Sequence, residues 1–159
     1  MYWCKSLNYF PMSSKFSLAL TTFANSYNCS QSVFSVFAPD FGISKDLGLR
    51  LAGPLGAGIA RSQETCGAVT GALLALGLKY GKGENGTDED KKRVYAVAQD
   101  FMKDFEAEFG SIVCLHLLDN NHMDTEEGAA AIAKEDMFRT RCTKYVKFAV
   151  ERTEELLNR

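Results

Sequence analysis

The sequence predicts an all-α fold, a single compact helical bundle domain of about six or seven helices. Apolar residues recur at spacings of three and four along successive stretches, which marks one helical face after another. No stretch alternates apolar and polar residues as a half-buried strand does. A length of 159 residues suits one domain with one sizeable core.

Taken in order, Phe16, Leu18, Ala19, Leu20, Phe23 and Ala24 define a first helix over about residues 14–26. Asn28 then reads as an N-cap whose side-chain oxygen can accept a backbone N–H, opening a second helix from Cys29 to about Phe41, where Gly42 stops it. Ser44 caps a short helix through Leu51, with Asp46 in its first turn. The segment from Gly53 to Gly58 holds three glycines and a proline, so it forms a connector that can approach a buried site closely. Its spacing matches neither phosphate-binding glycine pattern, and no strand precedes it.

A central helix is expected from Gln63 or Glu64 to Tyr80, with Gly67, Ala68, Gly71, Ala72 and Ala75 closely spaced. Small residues four apart let another helix come near, and they suit a crowded site or a homodimer contact as well as a core. After the turn around Gly83 and Gly86, Thr87 and Asp90 form a capping arrangement for a long amphipathic helix to Phe109. Its core face carries Val94, Val97, Ala98, Phe101, Phe105 and Phe109. Gly110 ends that helix, and Ser111 is placed to cap a short run in which Cys114 is the third residue. Thr125 and the two glutamates after it begin a further helix through the alanines near residue 130. A final helix carries Met137, Phe138, Tyr145, Val146, Phe148, Ala149, Val150, Leu156 and Leu157. A break at Arg139-Thr140-Arg141 would let Thr140 cap it and put Cys142 in its first turn.

Composition removes several function classes. A formal net charge of -2 leaves no excess cation to neutralise phosphates, so nucleic-acid binding is not expected. The longest apolar run, Cys66 to Leu78, stops at Lys79, short of the roughly 20 residues that span a bilayer, so no membrane role is expected either. The N-terminus lacks the clean apolar stretch of a secretory signal, which points to a cytoplasmic protein. Met12 before Ser13-Ser14-Lys15 resembles a start, so residues 1–12 read as an N-terminal extension, 13–159 as the domain, and Cys4 as outside any site.

Five cysteines in a reducing compartment argue for metal binding, redox chemistry or inert burial over a disulfide framework. The odd count fits four plus one. Cys29, Cys66, Cys114 and Cys142 each read as lying close to a helix start, where unpaired N–H groups and the macrodipole favour an anion by on the order of 0.3–1 kcal/mol. For cysteine that anion is the thiolate, which is both nucleophile and metal ligand. Spacing alone does not choose between the alternatives, because no two cysteines form a local Cys-x-x-Cys pair.

Several blocks carry a family resemblance: Tyr27-Asn28-Cys29-Ser30-Gln31, Gly56-Ala57-Gly58-Ile59-Ala60-Arg61, Glu64-Thr65-Cys66-Gly67-Ala68-Val69-Thr70-Gly71-Ala72, Phe109-Gly110-Ser111-Ile112-Val113-Cys114 and Cys142-Thr143-Lys144-Tyr145. In this order they resemble the C-GCAxxG-C-C family of redox-active proteins, with the named Gly-Cys-Ala order replaced here by Thr65-Cys66-Gly67-Ala68. A related domain occurs in split-Soret cytochromes. The resemblance implies a small helical protein that binds a metal cluster or uses its thiols in electron transfer, with the four named cysteines as the site.

The first reading is therefore a redox protein in which Cys29, Cys66, Cys114 and Cys142 hold an iron-sulfur cluster or another thiophilic metal, with backbone N–H groups near Gly67 and Ala68 beside it. The second is a metal-free thiol/disulfide protein using the same residues. The third is a helical interaction module with buried, inert cysteines. Covalent haem is not expected, since no Cys-x-x-Cys-His occurs. The electron-transfer partner is not identified. His116, two residues after Cys114, would point away from a site that Cys114 faces, and His122 reads as a solvated turn residue. Glu64 and Arg61 are the nearby charges, as a proton acceptor and an anion holder respectively.

Overall fold

The computed structural model describes residues 14–159, so the readings made on residues 1–12 and on Cys4 fall outside the described residues. Eight α-helices make up the described chain, one more than the upper end of the expected range: α1 (Ser14–Ala24), α2 (Cys29–Phe34), α3 (Lys45–Ala52), α4 (Gly67–Tyr80), α5 (Asp88–Phe109), α6 (Cys114–Leu117), α7 (Glu126–Lys134) and α8 (Thr143–Leu157). No strand occurs among the described residues, and the fold is all-α.

Local chemistry sets most boundaries. Asn28 and Gln31 form a reciprocal capping box, with Gln31 N–H donating to Asn28 Oδ1 at 3.0 Å and Asn28 N–H to Gln31 Oε1 at 3.1 Å. The second helix does not reach Phe41 as expected. It ends at Phe34, and a separate 3-10 turn spans Ala38–Phe41. Pro39 has no N–H to offer the Ser35 carbonyl and its ring crowds that oxygen, so an α-helix cannot run through. Thr87 and Asp90 make the expected capping box on α5, and Gly110 ends that helix in the left-handed conformation with φ 82°.

Helix α4 is the hub, packed against α2, α5 and α8. Its Gly67, Ala68, Val69, Gly71, Ala72, Ala75 and Leu76 are all buried, so the small-residue face is covered within the chain. The reason for the glycines is spatial. A Cβ on Gly71 would lie 2.7 Å from the Ser30 carbonyl oxygen, and one on Gly67 would lie 3.0 Å from the Ser30 nitrogen. The backbone of α2 thus rests directly on α4. On the other side, Phe101 and Phe105 of α5 are fully buried, and Phe105 and Phe109 interlock with Tyr145 and Phe148 of α8. Ring centroids there are 4.8 to 5.9 Å apart, within the range of favourable aromatic pairs. No helix among the described residues is long and apolar enough to cross a membrane.

Candidate functional site: a four-cysteine cavity

Each cysteine is delivered by a different local device. Cys29 is the first residue of α2, as the Asn28 cap predicts. That cap does a second job, since Asn28 Nδ2 donates to the Gly53 carbonyl at 2.8 Å and Gln31 Nε2 to the Leu49 carbonyl at 3.0 Å. The start of α2 is thereby tied to the end of α3 and the connector after it. Gly56 sits so close to Asn28 that an added Cβ would be 2.0 Å from its Cγ.

The connector then does something that composition did not announce. Ala57, Gly58, Ile59, Ala60 and Arg61 have φ of 52, 71, 67, 49 and 66°, one turn of left-handed backbone, and Gln63 follows at 57°. Such a conformation costs roughly 1–2 kcal/mol for each residue with a Cβ. Tertiary bonds hold it. Gln63 is buried, donates from Nε2 to the Asn121 carbonyl at 2.9 Å and accepts the Met123 N–H at 2.7 Å.

This turn overrides the expectation that α4 starts at Gln63 or Glu64. Residues 64–66 are instead drawn out into an antiparallel bridge between Thr65 and Val113. Cys66 N–H donates to the Ile112 carbonyl at 2.8 Å and Cys114 N–H to the Glu64 carbonyl at 2.6 Å. One two-residue bridge therefore brings Cys66 and Cys114 together. Cys66 becomes the residue just before α4, and Cys114 is the first residue of α6, not its third. Ser111 Oγ accepts from Val113 N–H at 3.0 Å and does not cap that helix.

Cys142 departs furthest from its expected place. No break separates residues 139–141 from the last helix; Phe138–Cys142 form a π-helical turn that runs straight into α8. Thr140 Oγ1 donates to the Asp136 carbonyl at 3.0 Å and does not cap a helix start. Cys142 thus reaches the site from inside a continuous helical segment, and the widened turn sets where its side chain emerges.

The four sulfur-bearing side chains line one small cavity of about 10 Å³ together with Ala57, Gly67, Leu117, Leu118 and Tyr145. A space of that size holds about one water-sized atom. Cys142 is the neighbour whose side chain acts most strongly on the Cys29 thiol. Among the described residues no disulfide joins the four, and no three His, Cys, Asp or Glu side chains converge as the ligands of one metal ion.

The electrostatics reverse the helix-start expectation. The Cys142 side chain holds the Cys29 proton in place, and burial adds to it, so the Cys29 thiol titrates well above its ordinary value. Burial pushes the Cys66 thiol well up too, reinforced by Cys29 and Cys114 and only partly opposed by the N–H groups of Ala68 and Val69. Burial and the proximity of Cys29 raise Cys114 to about 12. Helix-start N–H groups do act on Cys66 from the expected direction, but desolvation outweighs them. Tyr145 is raised to about 12, by burial first and then by Cys142.

The remaining sequence candidates stay outside. His116 is exposed with Nδ1 3.2 Å from Ser111 Oγ, and His122 is exposed in its turn. Glu64 is exposed and serves through its backbone carbonyl. Arg61 is paired with Asp124 at 2.9 Å. Sequence reading passed over Tyr145, whose hydroxyl donates to the Leu117 carbonyl at 3.1 Å and fixes α8 against α6. Its spacing of three from Cys142 was the available signal, since that offset shares a helical face. Gln63 and Ala57 gave none.

A family model described as "Putative redox-active protein (C_GCAxxG_C_C)" matches residues 27–156, a span that contains all four cavity cysteines. The chain belongs to this family. The C-GCAxxG-C-C match begins two residues before Cys29 and runs into the last turns of α8, so it covers the whole apparatus that builds the cavity. Comparison with curated proteins and with solved structures gives no match.

Proposed function

We propose that this C-GCAxxG-C-C protein is a two-electron dithiol/disulfide relay whose working pair is Cys29 and Cys142. The observation that carries the reading is that the Cys29 and Cys142 side chains line one small cavity with Cys66 and Cys114, and Cys142 is the neighbour that acts most strongly to keep the proton on Cys29. Closing the pair breaks two S–H bonds, forms one S–S bond and releases two electrons and two protons to an acceptor. Thiols on the wall of one small cavity have to close to about 2.05 Å to form that bond. A dithiol donor reopens the bond by exchange. One donor sulfur attacks the disulfide, a mixed disulfide forms, and the donor's second sulfur displaces the cysteine. The raised pKa values of Cys29, Cys66 and Cys114 suit a resting state in which those thiols keep their protons, so the reduced form is protected from adventitious oxidation until a reactant enters.

A second reading has its own support. Burial and neighbouring sulfurs disfavour ionisation of Cys29, Cys66 and Cys114, and no residue lining the cavity is cationic, so a thiophilic metal is the counter-charge that would relieve them. Cys29, Cys66, Cys114 and Cys142 would hold such a metal or an iron-sulfur cluster, which would supply electron transfer without proton movement. Side chains would have to draw together first, since no three of them converge now.

The test uses anaerobically purified, fully reduced protein in a Cys4→Ser background, with hydroxyethyl disulfide as oxidant. The expected result is loss of two thiols per chain, mapped by peptide mass to Cys29–Cys142, and abolished by Cys29→Ser or Cys142→Ser. Unreactive thiols, or a bond mapped elsewhere, would end the reading. Metal analysis of the same preparation decides the second reading, which requires iron and sulfide, or zinc, in proportion to protein.

A further inference from the structure

A much larger cleft opens beside the small cavity. It has a volume of about 870 Å³, and Cys29, Cys114 and Cys142 contribute to its wall. Clefts of roughly 300–1,000 Å³ with mostly apolar walls are the usual size of small-molecule sites. The walls here come from α1 (Leu20, Phe23), the turn before α2 (Tyr27), the loop before α7 (Met123) and the π-helical turn (Phe138). Tyr27 and Phe138 are among the exposed large hydrophobic residues, 40% and 47% accessible, and both belong to this one cleft. Two arginines also line it, but neither offers an unpaired charge. Arg61 is held by Asp124, and Arg139 by Asp136. A ligand with a phosphate or carboxylate would have to compete with both carboxylates, whereas an uncharged apolar ring would not.

We propose that this cleft binds the electron acceptor of the relay, an uncharged, flat, conjugated dicarbonyl ring of the quinone class. The inference rests on the dithiol reading above and names its oxidising substrate. Aromatic walls and methionine favour a flat polarisable ring, through stacking and sulfur–aromatic contacts. Cys29 and Cys142 are part of the wall that would hold the ring. In the step, their two S–H bonds break and one S–S bond forms. Two electrons and two protons pass to the ring, whose two carbonyls become hydroxyls. A flat protein surface carrying a disulfide would leave most of this concavity unfilled.

The experiment uses the full, reduced chain with tetramethyl-1,4-benzoquinone, whose substituted ring carbons leave no open position for a thiol to add. The expected result is one hydroquinone formed for each Cys29–Cys142 disulfide, with a rate that saturates in quinone. Phe138→Asp, at an exposed position, places a charge against the ring and should lower the quinone rate constant by about tenfold or more, while Leu18→Asp on the exposed side of α1 leaves it unchanged. Both variants should react with hydroxyethyl disulfide within about twofold of the wild type, because that small reagent needs no aromatic site. Flavin mononucleotide, flat but phosphorylated, should oxidise the thiols far more slowly than the quinone. Equal quinone rates in Phe138→Asp and wild type, or faster oxidation by the flavin, would overturn the inference while the dithiol reading stood. Failure of both the quinone and the disulfide reagent would remove the reading as well.

Discussion

Gly71→Ala is the sharpest probe of how the site is assembled. The added Cβ would meet the Ser30 carbonyl oxygen at 2.7 Å, Val33 Cβ at 3.0 Å and Ser30 Cα at 3.1 Å. Two of these atoms are backbone and the third is the first carbon of a side chain, so no rotamer change relieves the contact. Restoring an ordinary separation of 3.4 Å makes α2 retreat from α4 by several tenths of an ångström. Overpacking of this kind costs about 1–3 kcal/mol, against which alanine gains about 1 kcal/mol of helix propensity over glycine. A net loss of up to about 2 kcal/mol is expected, readable as a lower urea midpoint at unchanged m-value. Gly77→Ala is the control on the same helix. Nothing lies within 4 Å of its added Cβ, so the propensity gain stands alone and stability should rise by about 0.5–1 kcal/mol. Because α2 begins with Cys29, the Gly71 variant should also close the Cys29–Cys142 bond more slowly with hydroxyethyl disulfide. Equal urea midpoints for the two variants would refute the claim that the α2 backbone rests on α4.

Two further predictions follow from the connector and the thiols. Ala60 is exposed with φ 49°, so Ala60→Gly should raise stability by about 0.5–1 kcal/mol after allowing for the looser unfolded chain; Gly58→Ala should lower it by several times that, because its Cβ would lie 2.4 Å from Gln63 Cα. Thermal unfolding of the pair checks this, and a destabilised Ala60→Gly would show that the left-handed turn carries no strain. Cys114 titrates near 12 when folded and near 9 when unfolded, so its contribution is complete below about pH 9. It is lost as pH rises from about 9 towards 12, because the unfolded chain gives up a proton that the folded chain keeps. The loss amounts to at most about 4 kcal/mol, and Cys114→Ala should flatten the fall; identical pH profiles for variant and wild type would contradict the burial argument.

The fold class, the Thr87–Asp90 cap, the Asn28 cap, the phenylalanine face of α5 and the identity of the four cysteines were all legible in the sequence. Those features depend on residues within a turn or two of one another, where helical periodicity and capping chemistry act without knowledge of the rest of the chain. Tertiary structure decided how the thiols meet. The left-handed turn at residues 57–61 is locally unfavourable and exists because Gln63 is anchored to the loop near Met123. The Thr65–Val113 bridge joins segments far apart in sequence and moves Cys66 out of α4. The π-helical turn carries Cys142 to the site without the helix start expected at Thr140. Tertiary packing also set the chemistry, since helix-start N–H groups argue for easily ionised thiols and only burial, together with neighbouring sulfurs, shows why Cys29, Cys66 and Cys114 keep their protons.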